Sequence, residues 1–260
     1  MTQADSVRAK FAKGELVIGG HIFSSDAQFS ELMGYHGYEF VWIDFEHSTF
    51  NLTDVLHHVT ACAASGTASF VRVAWNDPVQ IKRVLEIGPD GLIVPFVCTA
   101  QEAKAALDAC RYPLKGIRGF GPRRADRFGA ISKDDYVHNA DKNLLKIMQI
   151  EHKTAVENLD AILEVPGIDM IVVGPNDLSA SYGHLLELRH PDMIKIYDEI
   201  AVKCKAHNMP FGVSIGAQSK ITIDEWIARG VSFIGCGDDL GFVAAGAIEI
   251  IKYIRKGNAK

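Results

Sequence analysis

The sequence predicts an α/β protein built as a single (β/α)8 TIM barrel, with an N-terminal helix and a long loop after strand 4. Eight short, β-branched apolar runs recur along the chain, and amphipathic stretches separate them. This pattern is typical of parallel strands that are buried on both faces. The length of 260 residues also matches the roughly 250 residues of one such barrel. No linker divides the chain, so we expect one domain over residues 1–260.

Each element follows from a local pattern. Residues 1–10 form a short amphipathic helix, and Asp77 followed by Pro78 marks a helix start. Ser179, Asp192 and Thr222 are further N-cap candidates. Two long connections, 98–143 and 178–210, are places where substrate or subunit contacts commonly lie. The predicted strands are 16–22, 39–44, 69–74, 91–97, 144–150, 169–173, 211–215 and 231–235, and the main helices between them are 78–85, 100–110, 154–163, 193–206 and 222–228.

Composition and charge exclude several classes of function. The formal net charge of −5 gives no general attraction to nucleic acid or to anionic lipid. No apolar run approaches the ~18–20 residues of a bilayer span, and the N-terminus lacks the apolar core of a signal peptide. The five cysteines include no C-x-x-C pair, which favours reduced thiols over a disulfide or zinc framework. We therefore expect a cytoplasmic protein with no nucleic-acid or membrane partner.

Polar residues cluster where the predicted strands end, which is where barrel proteins place their chemistry. Glu151 and Asp177 follow two neighbouring strands, and a divalent cation between them would remove their mutual repulsion. Oxygen ligands favour Mg²⁺ or Mn²⁺, with Co²⁺ as a further candidate. The alternative is a pair of solvated or hydrogen-bonded carboxylates. Strand alternation places Lys146 on the other side from Gln149 and Glu151, so a Schiff-base lysine is disfavoured there.

A histidine and an arginine complete the candidate set. His47 follows Asp44 by three residues at the same end of the predicted barrel, where a neutral imidazole can take a proton. The alternative is that His47 only packs or hydrogen-bonds against its neighbours and has no catalytic role. His21, His152 and His207 are its competitors, and His57 and His58 fit a helix surface.

Arg72 lies within an apolar strand and needs an anion, either a buried carboxylate such as Glu86 or a developing oxyanion. The turn at 174–179 offers free N–H groups to a small anion. The basic loop 118–127 is either a contact for an anionic substrate or a solvated or interface loop.

Six motifs in order give this chain a family resemblance. It resembles the metal-dependent HpcH/HpaI aldolases, which are class II pyruvate aldolases of the phosphoenolpyruvate/pyruvate barrel superfamily, from about residue 14 to residue 244. The motifs are Trp42-Ile43-Asp44-Phe45-Glu46-His47, Val71-Arg72-Val73-Ala74-Trp75-Asn76-Asp77-Pro78, Leu92-Ile93-Val94-Pro95, Arg111-Tyr112-Pro113 with Gly116-Ile117-Arg118-Gly119, Gln149-Ile150-Glu151, and Val173-Gly174-Pro175-Asn176-Asp177-Leu178-Ser179.

The resemblance implies a role for each matching residue. Glu151 and Asp177 would bind the divalent metal, and His47 would act as the base through a water. Arg72 would steady the enolate oxygen, and Asp44 would orient the site near His47. The residues that would hold the pyruvate end are Gln149, Gly174, Pro175, Asn176 and Asp177.

Two positions depart from the family pattern. Glu86 stands where the family usually has an aspartate that raises the basicity of the histidine, and Ser214 stands where some relatives carry a bulky apolar residue near the aldehyde. The family's members are commonly hexamers, trimers of dimers, so a homo-oligomer is implied.

The activity implied is reversible cleavage of a 4-hydroxy-2-oxo acid into pyruvate, or a close 2-oxo acid, and an aldehyde. Three alternatives remain open. One is oxaloacetate decarboxylation by the same enolate chemistry, and another is a non-catalytic binder of 2-oxo acids. The third is a phosphate-binding barrel isomerase, for which Gly216-Ala217-Gln218-Ser219 and Gly235-Cys236-Gly237-Asp238 would form the phosphate site.

Overall fold

The computed structural model describes residues 2–216 and 220–257. Its strands form a closed parallel barrel in chain order, in which the first strand pairs with both the second and the eighth. The predicted (β/α)8 barrel is therefore confirmed. The strands are β1 (Val17–Ile22), β2 (Phe40–Asp44), β3 (Ala68–Arg72), β4 (Gly91–Val94), β5 (Leu145–Ile150), β6 (Met170–Val173), β7 (Phe211–Ile215) and β8 (Phe233–Asp238).

Helices lie before, between and after the strands. Pro78–Leu85 and Ala100–Cys110 have the predicted bounds, whereas the predicted helix 154–163 is two short helices that meet at Asn158. The helices are α1 (Gln3–Ala12), α2 (Gln28–Tyr35), α3 (Leu52–Ser65), α4 (Pro78–Leu85), α5 (Ala100–Cys110), α6 (Lys133–Ala140), α7 (Lys153–Glu157), α8 (Leu159–Leu163), α9 (Pro175–Ser181), α10 (Pro191–Ala206), α11 (Lys220–Ala228) and α12 (Asp239–Gly257).

The predicted helix caps are only partly right. Asp77 caps α4 by accepting from the backbone N–H groups of Val79 and Gln80. The other three predictions are wrong, because Ser179 and Thr222 lie inside helices and Asp192 lies in the first turn of α10. The α10 cap is the His190 side chain, which accepts from the Asp192 N–H. Imidazole nitrogens can replace the usual capping oxygens, and the residue pattern alone did not indicate this substitution.

Large and small side chains alternate inside the barrel. The rings of Phe40, Phe70 and Phe233 pack together with centroids 4.8 to 6.4 Å apart. Glycines face these rings, since a Cβ atom at Gly212 would lie 1.5 Å from the Phe233 ring and one at Gly19 would lie 2.3 Å from the Phe40 ring. The barrel interior is therefore filled in its lower half, which leaves room for polar side chains only at the carboxyl ends of the strands.

The helix α1 covers the amino end of the barrel. Its Ala4 and Val7 side chains join the apolar cluster inside the barrel, and Arg8 binds Asp169 at 2.9 Å just before β6. Because this end is covered, the open end of the barrel is the one at which the strands terminate.

The helix α12 is not packed like the others. All its residues from 242 to 256 are exposed, although many of them are large and apolar. Ile18 on the outer face of β1 is also 45% exposed. In the part of the chain that the structure describes, the seam between β8 and β1 is thus left without the covering helix that a barrel requires. No helix in this part combines the length and apolar content of a bilayer span.

Candidate active site

A cavity of about 250 Å³ lies at the carboxyl ends of the strands. Since strand alternation turns every second side chain inward, the last inward positions of several strands meet there. Most of the predicted site residues line it. The lining residues are His21, Phe23, Asp44, His47, Arg72, Gln149, Gly174, Pro175, Asn176, Asp177, Ser214, Gly216 and Asp238.

Arg72 is clamped between two carboxylates from β2 and the turn after it. Its guanidinium binds Asp44 through one terminal nitrogen and Glu46 through the other, at 2.9 Å for the second pair. Trp42 lies beneath it, with its ring centroid 5.4 Å from the guanidinium carbon. The Glu86 partner considered from the sequence is wrong. The Arg72 Nε–H group is buried and has no hydrogen-bond partner within residues 2–216 and 220–257, and the residue lines the cavity.

Asp44 shapes the turn that carries His47. Its Oδ1 atom accepts hydrogen bonds from the backbone N–H groups of Glu46 at 3.0 Å and His47 at 2.8 Å. The carboxylate thus orients His47 through the backbone. The imidazole itself is exposed and lines the cavity, where it is free to exchange protons with solvent or a ligand.

Glu151 is a buried carboxylate with a strongly perturbed pKa. It is 1% exposed, and it accepts hydrogen bonds from the Phe96 N–H at 2.8 Å and from the Gln149 amide. Burial, together with the negative charges of Glu46 and Asp177, raises the pKa of Glu151 to about 8. A carboxyl group in this condition holds a proton near neutral pH unless a cation replaces it.

Glu46 is the residue that sequence reasoning missed. It belongs to the motif that contains Asp44 and His47, but no role was assigned to it. Burial comes first among the causes that raise its pKa, and the charges of Asp44 and Asp177 add to it. Its position two residues after a strand end was the available signal, but its turn toward Arg72 depends on tertiary packing.

Glu151, Asp177 and Gln149 offer oxygen ligands of the kind that a divalent cation accepts. Burial, the first cause, raises the pKa values of Glu46 and Glu151, and the negative charge of Asp177 adds to both. The Gln149 Oε1 atom is buried without a hydrogen-bond partner among the residues that the structure describes. A Cβ atom at Gly174 would lie 2.7 Å from a Glu151 oxygen, so only glycine lets this part of the cavity wall approach the carboxylate so closely. Hard cations prefer such oxygen ligands.

Within this single chain Glu86 is not among the residues that line the cavity, and its expected role toward His47 stays a prediction. The helix α4 starts near the end of β3 and runs back, so Glu86 follows its last turn toward the amino ends of the strands. There it accepts a hydrogen bond from Arg118 at 3.1 Å. Its charge therefore balances Arg118 within this chain.

The basic loop 118–127 is also remote from the cavity, so of its two alternatives, contact with an anionic substrate does not arise within a single chain. Arg118 is 4% exposed and stacks on Tyr112, 4.6 Å from the ring centroid. Arg124 donates to the Ile87 backbone carbonyl and joins Asp90 around a separate cavity of about 620 Å³. These arginines stabilise the loop against the barrel.

The other histidines have structural contacts. His152 caps α7 by accepting from the Thr154 N–H, and His207 contacts Asp160. His58 is fully buried, 2.8 Å from the Ser30 hydroxyl, so its predicted surface position is wrong.

One group of three possible metal ligands, His184, His190 and Asp192, occurs among the described residues. Its two imidazoles stack with centroids 3.7 Å apart, and such parallel rings do not direct their lone pairs at one point. Of the alternative phosphate site, residues 217–219 lie outside the described part of the chain.

The fold and cavity define a class of protein: a (β/α)8 barrel with buried carboxylates and a clamped arginine at its open end. The family model for HpcH/HpaI aldolase/citrate lyase matches residues 18–245. The chain therefore belongs to this family.

Named relatives and a solved structure agree with this membership. The chain is 35% identical to a 2-dehydro-3,6-dideoxy-6-sulfogluconate aldolase of Pseudomonas putida over 90% of this chain and 91% of that one. It is 36% identical to a 5-keto-4-deoxy-D-glucarate aldolase of Salmonella arizonae over 87% and 88%. A crystal structure of a HpcH/HpaI aldolase/citrate lyase family protein from Burkholderia cenocepacia superposes with a TM-score of 0.90 at 26% identity, covering 97% and 99%.

Proposed function

We propose that this protein is a metal-dependent aldolase. It reversibly cleaves a 4-hydroxy-2-oxo acid into pyruvate, or a close 2-oxo acid, and an aldehyde. The observation that carries the proposal is that His47, Arg72 and Asp177 line one cavity, with the buried carboxylate of Glu151 next to Gly174 of the lining. Family membership and the aldolase names of two relatives support it.

The residues of this chain divide the reaction between them. Gln149 and the backbone of 174–176 bind the 2-oxo acid end of the substrate. His47 takes the proton of the 4-hydroxyl group through a water, the C3–C4 bond breaks, and its electrons form the enolate while the aldehyde leaves. The Arg72 N–H stabilises the enolate oxygen as charge develops there. His47 then returns a proton, and pyruvate results.

Glu151 and Asp177 would hold a divalent metal ion, Mg²⁺, Mn²⁺ or Co²⁺, with Glu46 beside them. When bound, the ion supplies Lewis-acid polarisation of the 2-oxo group. Glu151 is the more deeply buried of these two residues.

Substitution of His47 should affect catalysis and not folding, because its side chain is exposed at the cavity. His47 is therefore the residue with which we test the proposed function. We expect His47→Ala to lower kcat/KM about 10²- to 10⁴-fold, because proton transfer is lost, with little change in unfolding. The measurement is pyruvate release from 4-hydroxy-2-oxopentanoate after chelator treatment and re-addition of each metal. His57→Ala, which changes an exposed histidine on α3, is the matched control. Turnover without metal, or on oxaloacetate alone, would reject the aldolase proposal.

We also propose a homo-oligomer in which α12 packs on a second copy of the chain. Each copy offers one unpartnered apolar helix and one uncovered strand seam, and exchange between two copies satisfies both. The side chains available for this contact are Leu240, Phe242, Val243, Ile248, Ile250, Ile251, Tyr253 and Ile254.

Sedimentation of the full chain tests this interface. We expect an oligomer for the wild type and a smaller species for Ile250→Asp, because burying an unpaired charge is unfavourable. Val202→Asp, on an exposed position of α10, is the control and keeps the wild-type mass. A monomeric wild-type protein would contradict the proposal.

A further inference from the structure

The cavity has a second polar end that the proposed mechanism does not use. Gln149, Gly174 and Asp177 come from β5, β6 and the start of α9. On the other side, β1, β7 and β8 contribute His21, Ser214 and Asp238, which we call the acceptor wall. It faces the part of the cavity left to the aldehyde fragment when the 2-oxo acid end lies by Gln149.

The hydrogen bonds of His21 determine which way the Ser214 hydroxyl points. The His21 Nδ1 atom lies 2.9 Å from the Gly237 carbonyl oxygen, which can only accept, so Nδ1 carries the proton. The Nε2 atom lies 2.8 Å from the Ser214 Oγ atom. Burial lowers the pKa of His21, which keeps the ring neutral and leaves Nε2 as an acceptor. Ser214 therefore donates its proton to His21, and its lone pairs remain for a ligand.

Asp238, like Ser214, offers hydrogen-bond acceptors to the cavity, and it adds a negative charge to the acceptor wall. One of its oxygens accepts from the Gly241 N–H at 2.6 Å. Among residues 2–216 and 220–257, no lysine or arginine forms an ion pair with it. With Ser214 committed as a donor to His21, both side chains present only acceptor oxygens to the cavity.

We propose that the acceptor wall selects an uncharged hydroxyaldehyde as the second partner of the reaction. A ligand hydroxyl donates to the Ser214 Oγ atom or to the Asp238 carboxylate, and an alkyl group leaves these acceptors unpaired. A carboxylate on the aldehyde brings acceptors and a like charge, and both are unfavourable there. The inference rests on the aldolase function proposed above. It assigns Ser214 and Asp238 to specificity and His21 to the positioning of Ser214.

Three aldehydes of similar size test the inference on the metal-loaded enzyme with pyruvate. Glycolaldehyde carries a hydroxyl, propanal has a methyl group in its place, and glyoxylate has a carboxylate in place of the whole hydroxymethyl group. We expect the wild-type kcat/KM for condensation to be at least about tenfold higher for glycolaldehyde than for each of the others. Exchange of pyruvate methyl protons into deuterated water is followed in parallel, because it reports the enolate half of the reaction alone.

Substitutions of Ser214 and Asp238 test whether the acceptor wall causes the selectivity among the three aldehydes. Ser214→Ala is expected to lower the glycolaldehyde-to-propanal ratio about tenfold, and Asp238→Asn to raise the relative use of glyoxylate about tenfold. His21→Gln retains an acceptor for Ser214 and should keep most of the ratio, whereas His21→Phe should lose it. Ser30→Ala is the matched control, since it removes another buried serine–histidine contact, with His58, outside the cavity. Its ratios should equal those of the wild type.

The outcomes separate the two proposals. Wild-type enzyme that condenses all three aldehydes equally, or a Ser214→Ala variant with an unchanged ratio, overturns the acceptor wall and leaves the aldolase function intact. Wild-type enzyme that exchanges pyruvate protons but condenses no aldehyde overturns the aldolase function, and the inference falls with it.

Discussion

Arg72→Ala is expected to lower kcat/KM about 10³-fold or more. The side chain is the buried cation of the cavity, and removal of one preorganised donor to a developing oxyanion already costs about 10²- to 10³-fold. The substitution also leaves Asp44 and Glu46 buried without their cation. The free energy of unfolding should therefore fall by about 3–5 kcal/mol.

Arg72→Lys distinguishes these two effects. Lysine keeps the charge, but its three donors share one nitrogen and do not reproduce the planar guanidinium that binds Asp44 and Glu46 through separate nitrogens, so we expect a folded protein with about 10²-fold lower kcat/KM. Urea unfolding and steady-state cleavage of the same substrate measure the two quantities. Arg111→Ala removes an arginine that pairs with Asp141 at 3.0 Å outside the cavity, and it should leave kcat/KM unaffected. Wild-type turnover in Arg72→Lys would show that the guanidinium has no role in the reaction.

Glu151→Gln is expected to lower Mn²⁺ affinity and turnover at least about 10²-fold, because the buried carboxylate is the proposed metal ligand. Calorimetric titration of the metal-free protein with Mn²⁺ measures this loss. Glu102→Gln, on the exposed side of α5, is the control. Equal Mn²⁺ affinity in the wild type and Glu151→Gln would contradict the assignment.

The raised pKa of Glu151 predicts how the free energy of unfolding depends on pH. In the unfolded chain Glu151 ionises near its ordinary pKa of 4.5, and in the metal-free folded chain near about 8. Between these values the unfolded state binds fewer protons, so this group lowers the free energy of unfolding as pH rises, by about 1.4 kcal/mol per pH unit. Below the range both states are protonated, and above it both are charged. Urea unfolding of the metal-free protein from pH 5 to pH 8 should show this slope in the wild type, and Glu151→Gln should remove it.

Some helices and strands could be predicted from the sequence nearly to their end residues, whereas the positions of several side chains could not. β5 and the helix α4 were predicted to within one residue, because their apolar periodicity and the Asp77-Pro78 start signal are local. Asp44, His47 and Arg72 were predicted at one end of the barrel because the carboxyl ends of parallel strands share an edge. Glu86 was expected to act near His47, and within this chain it lies away from the cavity because the helix α4 returns toward the amino ends of the strands.

The contacts that the sequence did not predict depend on distant partners. Glu46 contacts Arg72 across neighbouring strands, and Ser214 meets His21 from the opposite end of the chain, 193 positions away. His58 has surface-like neighbours in sequence, yet the packing of α3 on α2 buries it. Hydrophobic periodicity does not identify such pairs.

By itself, the sequence determined the strand and helix succession, the closed barrel and the family, because apolar period, turn residues and motif order are properties of neighbouring positions. The tertiary structure decided which anions hold Arg72, which end of the barrel Glu86 and the 118–127 loop occupy in this chain, and which side chain holds the Ser214 hydroxyl. These depend on contacts between residues far apart in the chain. Burial and charge at those contacts also determine the pKa of Glu151 and the hydrogen-bond polarity of the acceptor wall.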